Sequence, residues 1–199
     1  MTSAESFRIA LVGCGRISKN HFDAIRKVDG LSLAAVCDID AERARRAGEE
    51  QGVPAYRSID EMLRASDDEA PFDIVVVCTP SGLHSSHGAA AARAGKHVVT
   101  EKPMSISLTQ ADELVHACDE AGVQLFVVKQ LENPMCHSNR GVLWISSRRK
   151  SIWAFAGNDI DLWHRKRLLS RQPLHDLVCA WQLVSRYRLR TIHRERQFV

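Results

Sequence analysis

The sequence predicts an α/β protein in which a doubly wound parallel sheet is followed by an atypical basic C-terminal segment. Short apolar strands alternate with helical segments over residues 1–130, a pattern typical of a parallel sheet covered by helices. A glycine turn joins the first strand to the first helix. Charge and composition change near residue 131, so we expect two units, residues 1–130 and residues 131–199.

Apolar runs predict six strands, over residues 7–12, 31–37, 54–56, 73–78, 97–99 and 124–128. Five helices are expected between them, over residues 17–28, 40–50, 59–65, 84–94 and 109–121. Asp40 and Ser58 are predicted N-caps, and Glu61 completes a capping box with Ser58. Gly52 and Gly122 are expected to end helices.

Right-handed crossovers would place all six strands in one sheet, with the ligand outside the carboxyl ends of the strands. This rule marks five positions at one edge, namely residues 13–18, 38, 79–84, 101–103 and 129–130. Polar residues, glycine and proline gather at these same positions.

The turn from Gly13 to Ser18 is the most informative of them. Gly13 permits a tight turn, and Gly15 lets a pyrophosphate approach the backbone at the start of a helix. Ser18 replaces the third glycine of the usual fingerprint and is small enough for close packing. Asp38 ends the second strand, where it can bind a ribose 2′-hydroxyl and would repel a 2′-phosphate. We therefore predict a Rossmann half that prefers NAD over NADP, the alternative being a turn without a ligand.

The segment after the fourth main strand offers hydroxyl groups from Thr79 and Ser81, with Gly82 permitting close backbone approach. The alternative is an ordinary turn capped by Ser81. His84 and His87 have the spacing of a metal pair. No third ligand is evident, so no metal site is expected, and His87 is expected to pack or cap.

Glu101, Lys102 and Pro103 follow the fifth strand. A lysine beside a nicotinamide could polarise a sugar hydroxyl and help a base to remove its proton. Glu101 could hold Lys102 or a ribose hydroxyl, and Pro103 would fix the turn, with a cis bond as one option. The alternative is a surface ion pair beside a proline turn.

These motifs, together with the strand that ends at Lys129-Gln130, resemble the Gfo/Idh/MocA oxidoreductase family over about residues 7–130. The longer motif from Gly13 to His21 resembles the branch that uses NAD to oxidise the C3 hydroxyl of UDP-N-acetylglucosamine-derived uronic acids for surface polysaccharide. The resemblance implies NAD as cofactor, a sugar nucleotide as substrate and Lys102 as the catalytic lysine.

The same resemblance implies a role for each of the other marked residues. Gly13, Gly15, Arg16, Ile17 and Ser18 match the pyrophosphate turn, and Asp38 matches the acid at the adenosine ribose. The loop over the cofactor is matched by Thr79, Ser81 and His84. Glu101 and Pro103 match the neighbours of the nicotinamide ribose, and Gln130 is expected at the cofactor from the end of the sixth strand.

Composition limits the other functions and the compartment. No apolar run is long enough to span a membrane, and residues 1–6 lack the pattern of a secretory leader, so we expect no membrane partner. The six cysteines include no C-x-x-C pair, which favours a reducing cytoplasm without disulfides or zinc.

Residues 1–130 carry a net charge of −5 and 19 of the 22 alanines, whereas residues 131–199 carry +8 and all four tryptophans. The family normally continues with an α/β domain that holds a second catalytic site with a histidine and the subunit interface of its homo-oligomers. Its pattern is not recognisable here, and the helix-like stretch 174–181 has the wrong spacing. We expect a truncated gene or a shifted reading frame, with 131–199 poorly ordered.

Two alternatives stay open. A basic tail that contacts phosphates and stacks bases is disfavoured because no known motif organises its residues, so no nucleic acid is expected. The chain could also be a non-catalytic NAD-binding module or a degenerate gene product.

Overall fold

The computed structural model describes residues 6–66, 70–128, 143–146 and 151–154. Its eight strands are β1 to β8, over Phe7–Val12, Leu31–Cys37, Ala55–Tyr56, Ile74–Val77, His97–Thr100, Leu125–Val127, Leu143–Ser146 and Ser151–Ala154. The five α-helices of the described residues are α1 to α5, over Ser18–Lys27, Ala41–Gln51, Ile59–Ala65, His84–Arg93 and Leu108–Ala121. A single 3₁₀ turn, Ser81–Leu83, leads into α4.

Strands β1 to β6 are parallel and lie in the order β3-β2-β1-β4-β5-β6. Chain order reverses at β1, which pairs with β2 on one side and with β4 on the other. This is the doubly wound Rossmann sheet that the sequence predicts. Its switch point, between β1 and β4, is where open sheets of this kind bind ligands.

Strands β7 and β8 were not predicted. Both are antiparallel and extend the sheet beyond β6. Neither shows the alternation of apolar and polar residues that marks a half-buried strand. They are recognised from backbone pairing, of β7 with β6 and of β8 with β7. The rest of residues 131–199, including stretch 174–181, lies outside the described residues.

The sheet is covered on both faces, which explains its continuous apolar strands. Along β1, Ala10 and Val12 join a cluster that contains Leu114 of α5. The alternate residues Ile9 and Leu11 join a second cluster, which contains residues of α1 and α2. Glycine at position 88 lets α4 pack tightly, since a Cβ there would lie 2.8 Å from Leu114 Cδ1.

The predicted caps are confirmed, with one difference in detail. Asp40 accepts from the backbone of Glu42 and Arg43, and Ser58 accepts from that of Glu61. The Glu61 carboxylate accepts from the amide of Arg57, one residue earlier than in the usual capping box. Gly52 and Gly122 end α2 and α5 in the left-handed conformation, as predicted.

His97, at the start of β5, should make stability depend on pH. Its Nδ1 accepts a hydrogen bond from the Gln124 amide at 3.0 Å, and burial lowers the pKa of the ring. A histidine in the unfolded chain titrates at about pH 6.5, whereas His97 in the native chain titrates at a lower pH. Between these two pKa values the unfolded chain binds a proton that the native chain does not bind. Native stability is therefore complete above that range and falls as the pH drops through it.

We expect His97→Asn, which keeps an acceptor near the amide, to lose less stability than the wild type between about pH 7 and pH 5. Urea midpoints across that range measure the effect. Some dependence should persist, because burial also lowers the pKa of His87. His116→Asn is the matched control, since the His116 side chain is 72% exposed. Identical profiles for wild type and His97→Asn would contradict the prediction.

Candidate cofactor site

The glycine turn lies between the carboxyl ends of β1, β2 and β4. Gly13 has a φ of +97°, and its N–H donates to the carbonyl of Cys37 at 2.7 Å. A Cβ at position 13 would lie 2.7 Å from both the carbonyl carbon and the carbonyl oxygen of Cys78. This position therefore excludes any side chain, because backbone of a neighbouring strand fills the space.

Gly15 is different, since among the described residues, apart from its two chain neighbours, nothing lies within 4 Å of the Cβ that it lacks. Its open side adjoins the start of α1, where backbone N–H groups and the helix dipole favour an anion. Ser18 is 1% exposed, and its hydroxyl donates to the carbonyl of Gly15 at 2.6 Å. A small residue thus packs closely here, as expected. The turn has the shape that a pyrophosphate requires.

Asp38 is 6% exposed, and its carboxylate hydrogen-bonds to the backbone of the glycine turn. Its Oδ2 accepts from the Cys14 amide at 2.8 Å, and its Oδ1 accepts from the Asp40 amide at 2.9 Å. The guanidinium of Arg43 lies 3.4 Å from Oδ2. Arg43 Nη1 also lies 3.5 Å from Oδ1, so four contacts surround the carboxylate. The two long contacts with Arg43 are the ones that a ribose hydroxyl could replace.

The loop after β5 presents Lys102 to solvent. The Lys102–Pro103 bond is cis, which was one of the two options that the sequence left open. The Glu101 carboxylate is largely buried, with Oε1 2.9 Å from His21 Nε2 of α1 and Oε2 accepting from the Lys102 amide at 3.1 Å. Burial alone would raise the pKa of Glu101, but the His21 hydrogen bond and charge and the Lys102 amide and charge outweigh it and lower this pKa.

His84 joins two loops of the site. It is 2% exposed, and its ring nitrogens lie 2.6 Å from the Pro103 carbonyl and 2.7 Å from the Thr79 carbonyl. His87 Nδ1 lies 3.2 Å from the Thr79 hydroxyl, so His87 supports this loop, in keeping with its predicted packing role. The geometry gives His84 the role of holding the cofactor loops in place, since both of its nitrogens already face carbonyl oxygens.

The structure brings most of the predicted site residues to one edge of the sheet. Arg16 is exposed, Ile17 is half-buried, and Ser81 begins the 3₁₀ turn. Gln130 lies outside the described residues. Two participants were missed as interacting groups, His21 and Arg43, because each meets its partner across the fold or through a turn. His21 ends the motif that begins at Gly13, and Arg43 lies five residues after Asp38, but neither position indicates the contact that the side chain makes.

Cys14 and Cys37 lie beside the glycine turn without reactive character. The Sγ of Cys14 is 3.6 Å from the Cys37 carbonyl oxygen. Burial, with a smaller contribution from Asp38 for each, raises the pKa of both thiols to about 12. Because the thiolate is the nucleophile, neither is suited to covalent catalysis near neutral pH.

Residues 7–129 match the model of a protein family described as "Oxidoreductase family, NAD-binding Rossmann fold". The chain belongs to the Gfo/Idh/MocA oxidoreductase family. Its cofactor is NAD, which agrees with the open glycine turn and with an acid rather than a basic residue at the end of β2. None of the described helices is both long and apolar enough to cross a bilayer.

Curated relatives match this chain over only part of their length. D-apiose dehydrogenase from Paraburkholderia graminis is 39% identical over 127 residues, which are 63% of this chain and 33% of the relative. Myo-inositol 2-dehydrogenase from Thermotoga maritima is 34% identical over 120 residues, 60% of this chain and 35% of the relative. The chain thus spans about a third of the length of these curated relatives.

Among solved structures, the WlbA dehydrogenase from Bordetella pertussis in complex with NADH and UDP-GlcNAcA is 44% identical, with a TM-score of 0.59. The match covers 63% of this chain and 38% of that one. This identity is higher than the 39% of the D-apiose dehydrogenase and the 34% of the myo-inositol 2-dehydrogenase, so the family relatives span several substrates.

Proposed function

We propose that this chain is the NAD-binding half of a dehydrogenase that oxidises a sugar-nucleotide hydroxyl, namely C3 of a UDP-N-acetylglucosamine uronic acid, in the synthesis of surface polysaccharide. The observation that carries the proposal is the loop of Glu101 and Lys102, held beside the glycine turn by the buried contact with His21. The 44% identity to a dehydrogenase crystallised with NADH and UDP-GlcNAcA supports this choice of substrate.

The described residues fit NAD on two structural grounds. The space that a Cβ would fill at Gly15 is open, and α1 begins three residues later, where the Ser18 amide donates to the Gly15 carbonyl. Asp38 is held by two backbone amides at the end of β2, where it would take the adenosine ribose. Gly13, Gly15, Arg16, Ile17 and Ser18 would hold the pyrophosphate. Thr79, Ser81, His84, Glu101, Pro103 and Gln130 would surround the rest of the cofactor.

Lys102 would act on the proton of the reacting hydroxyl. When bound, NAD⁺ accepts the hydride that leaves the carbinol carbon. Lys102 hydrogen-bonds to the hydroxyl oxygen and favours loss of its proton to a base or to water, so that a carbonyl forms at this carbon. Glu101 holds the backbone of Lys102 through the 3.1 Å hydrogen bond from the Lys102 amide.

The test is NADH binding to this chain, followed by turnover in the enzyme whose substrate domain is restored by repair of the reading frame. We expect NADH to bind to this chain with a fluorescence change and NADPH to bind more weakly, because Asp38 repels a 2′-phosphate. This chain alone should turn over poorly, whereas UDP-GlcNAcA should drive reduction of NAD⁺ by the repaired enzyme. Absorbance at the NADH band measures the reaction, with UDP-N-acetylglucosamine as the control that lacks the uronic carboxylate. Failure of NADH to bind would overturn the cofactor site, whereas a repaired enzyme that binds NADH without turnover would favour a non-catalytic NAD-binding module.

We also propose the domain boundary near residue 130 and assign residues 131–199 to translation in a shifted reading frame. The support is the end of the family match at residue 129 and the change from a net charge of −5 to +8. Resequencing the gene and translating every frame after codon 130 tests this. A family-like Gly-Gly, Asp and His pattern in another frame would support it, and its absence from every frame would overturn it.

A further inference from the structure

One buried contact joins the two halves of the candidate site. His21 lies on α1, which begins at the glycine turn, and Glu101 lies at the end of β5. Their side chains meet at 2.9 Å between Nε2 and Oε1, and they are only 3% and 13% exposed. Residues 80 positions apart in the chain thus share one hydrogen bond at the carboxyl edge of the sheet.

Burial separates this contact from an ordinary surface ion pair. Exposed pairs contribute little because water and salt screen them, and the described chain offers a direct comparison in His116 and Glu120. Those two are 3.3 Å apart but 72% and 69% exposed, one turn apart on α5. A buried carboxylate, by contrast, depends on its hydrogen-bond donors, because it has lost most of its water.

The two groups that donate hydrogen bonds to the Glu101 carboxylate connect α1 to Lys102. Oε1 faces His21, while Oε2 accepts from the Lys102 amide at 3.1 Å. The Glu101 amide itself donates to the Val77 carbonyl at 3.0 Å, so the base of the loop is fixed to β4. The orientation of the carboxylate, and with it that of the Lys102 backbone, therefore depends on the ring of His21.

We propose that His21 is a positioning residue for the nicotinamide side of the cofactor site, acting through Glu101 on Lys102. This inference rests on the proposed function, in which Glu101 and Lys102 adjoin the nicotinamide ribose. His21 would leave the adenosine side unaffected, because Asp38 and the glycine turn are held by their own contacts with Cys14 and Cys37.

The experiment compares two ligands on the full chain. NAD⁺ reaches both sides of the site, whereas ADP reaches only the adenosine and phosphate side. We expect His21→Leu to weaken NAD⁺ binding by about tenfold to a hundredfold, the effect of losing one hydrogen bond to a charged group. ADP affinity should stay within about twofold. Isothermal titration calorimetry measures both constants.

Rescue and a matched control complete the design. His21→Gln can place an amide nitrogen near the position of Nε2, so it should restore most of the NAD⁺ affinity. His116→Leu removes an exposed histidine of the same kind of pair and should change neither constant. If His21→Leu does not fold, Glu101→Gln takes its place, and the double variant His21→Gln/Glu101→Gln tests whether the two changes couple.

The outcomes are distinct. Selective loss of NAD⁺ affinity with rescue by glutamine supports the proposal. Equal weakening of NAD⁺ and ADP, or no change in either, would overturn it and leave His21 a structural residue. A wild-type chain that binds neither NAD⁺ nor ADP would overturn the proposed function itself. If the wild type binds both ligands and the His21→Leu variant binds them equally well, this inference alone would be overturned.

Discussion

Gly13→Ala is expected to destabilise the protein by about 4 kcal/mol and to abolish cofactor binding. Two costs combine at this position. The φ of +97° is unfavourable for a residue with a Cβ, and that Cβ would lie 2.7 Å from the Cys78 carbonyl and 2.8 Å from the Thr79 amide nitrogen. Both neighbours are backbone at the end of the central strand β4, so no side chain can rotate away to relieve the contact.

Variants at two other glycines distinguish the cost of a positive φ from the cost of a steric clash. Gly95 has a φ of +73° with open space around it, so Gly95→Ala should lose only about 1 kcal/mol. Gly15 has open space and no positive φ, so Gly15→Ala should keep its stability within about 0.5 kcal/mol. Its new methyl group would nevertheless occupy the pyrophosphate position, and we expect NADH binding to weaken about tenfold or more.

Urea denaturation and NADH fluorescence titration of the three variants measure these effects. A Gly13→Ala variant as stable as Gly95→Ala would show that the backbone of Cys78 and Thr79 does not exclude a Cβ at position 13. A Gly15→Ala variant that binds NADH like the wild type would instead argue against a pyrophosphate at the start of α1. The two results are independent, since one concerns the protein alone and the other concerns its ligand.

In the enzyme with a restored substrate domain, Lys102→Ala is expected to lower turnover of UDP-GlcNAcA by about 10² to 10⁴ while NADH affinity changes by less than about threefold. The expected loss is confined to turnover because the Lys102 side chain is exposed and the loop is held by its backbone and by Glu101. Lys102→Arg should recover little activity, since the larger planar guanidinium cannot place its charge where the compact ammonium lies against the hydroxyl oxygen.

Lys96→Ala is the matched control for the lysine variants. Lys96 precedes β5 at the opposite edge of the sheet, where its ammonium lies 5.2 Å from the centre of the Phe72 ring. Its loss should leave kcat and the NADH dissociation constant unchanged. Turnover by Lys102→Ala at the wild-type rate would remove Lys102 from the chemistry, and NADH binding without turnover by the enzyme with a restored substrate domain would support the non-catalytic alternative.

The strands, helices and caps of residues 7–128 could be predicted because their signals are local. Asp40 and Ser58 cap the turns that begin beside them, and Gly122 ends α5 where a left-handed residue is required. The continuous apolar run of β4 predicts burial on both faces, which the structure confirms. Strands β7 and β8 were missed because β7 forms by pairing with β6, at the edge of the sheet, and β8 forms by pairing with β7.

The candidate site divides in the same way. Residue type and spacing point to the glycine turn, Asp38 and Lys102, since a phosphate turn, a ribose acid and a proton-handling lysine each need one kind of residue at the end of a strand. The contact of His21 with Glu101 and the exclusion of a Cβ at Gly13 could not be predicted from residue type and spacing. Both arise from the sheet order, which makes β4 the neighbour of β1 and brings residues far apart in the chain within about 3 Å, the range of hydrogen bonds.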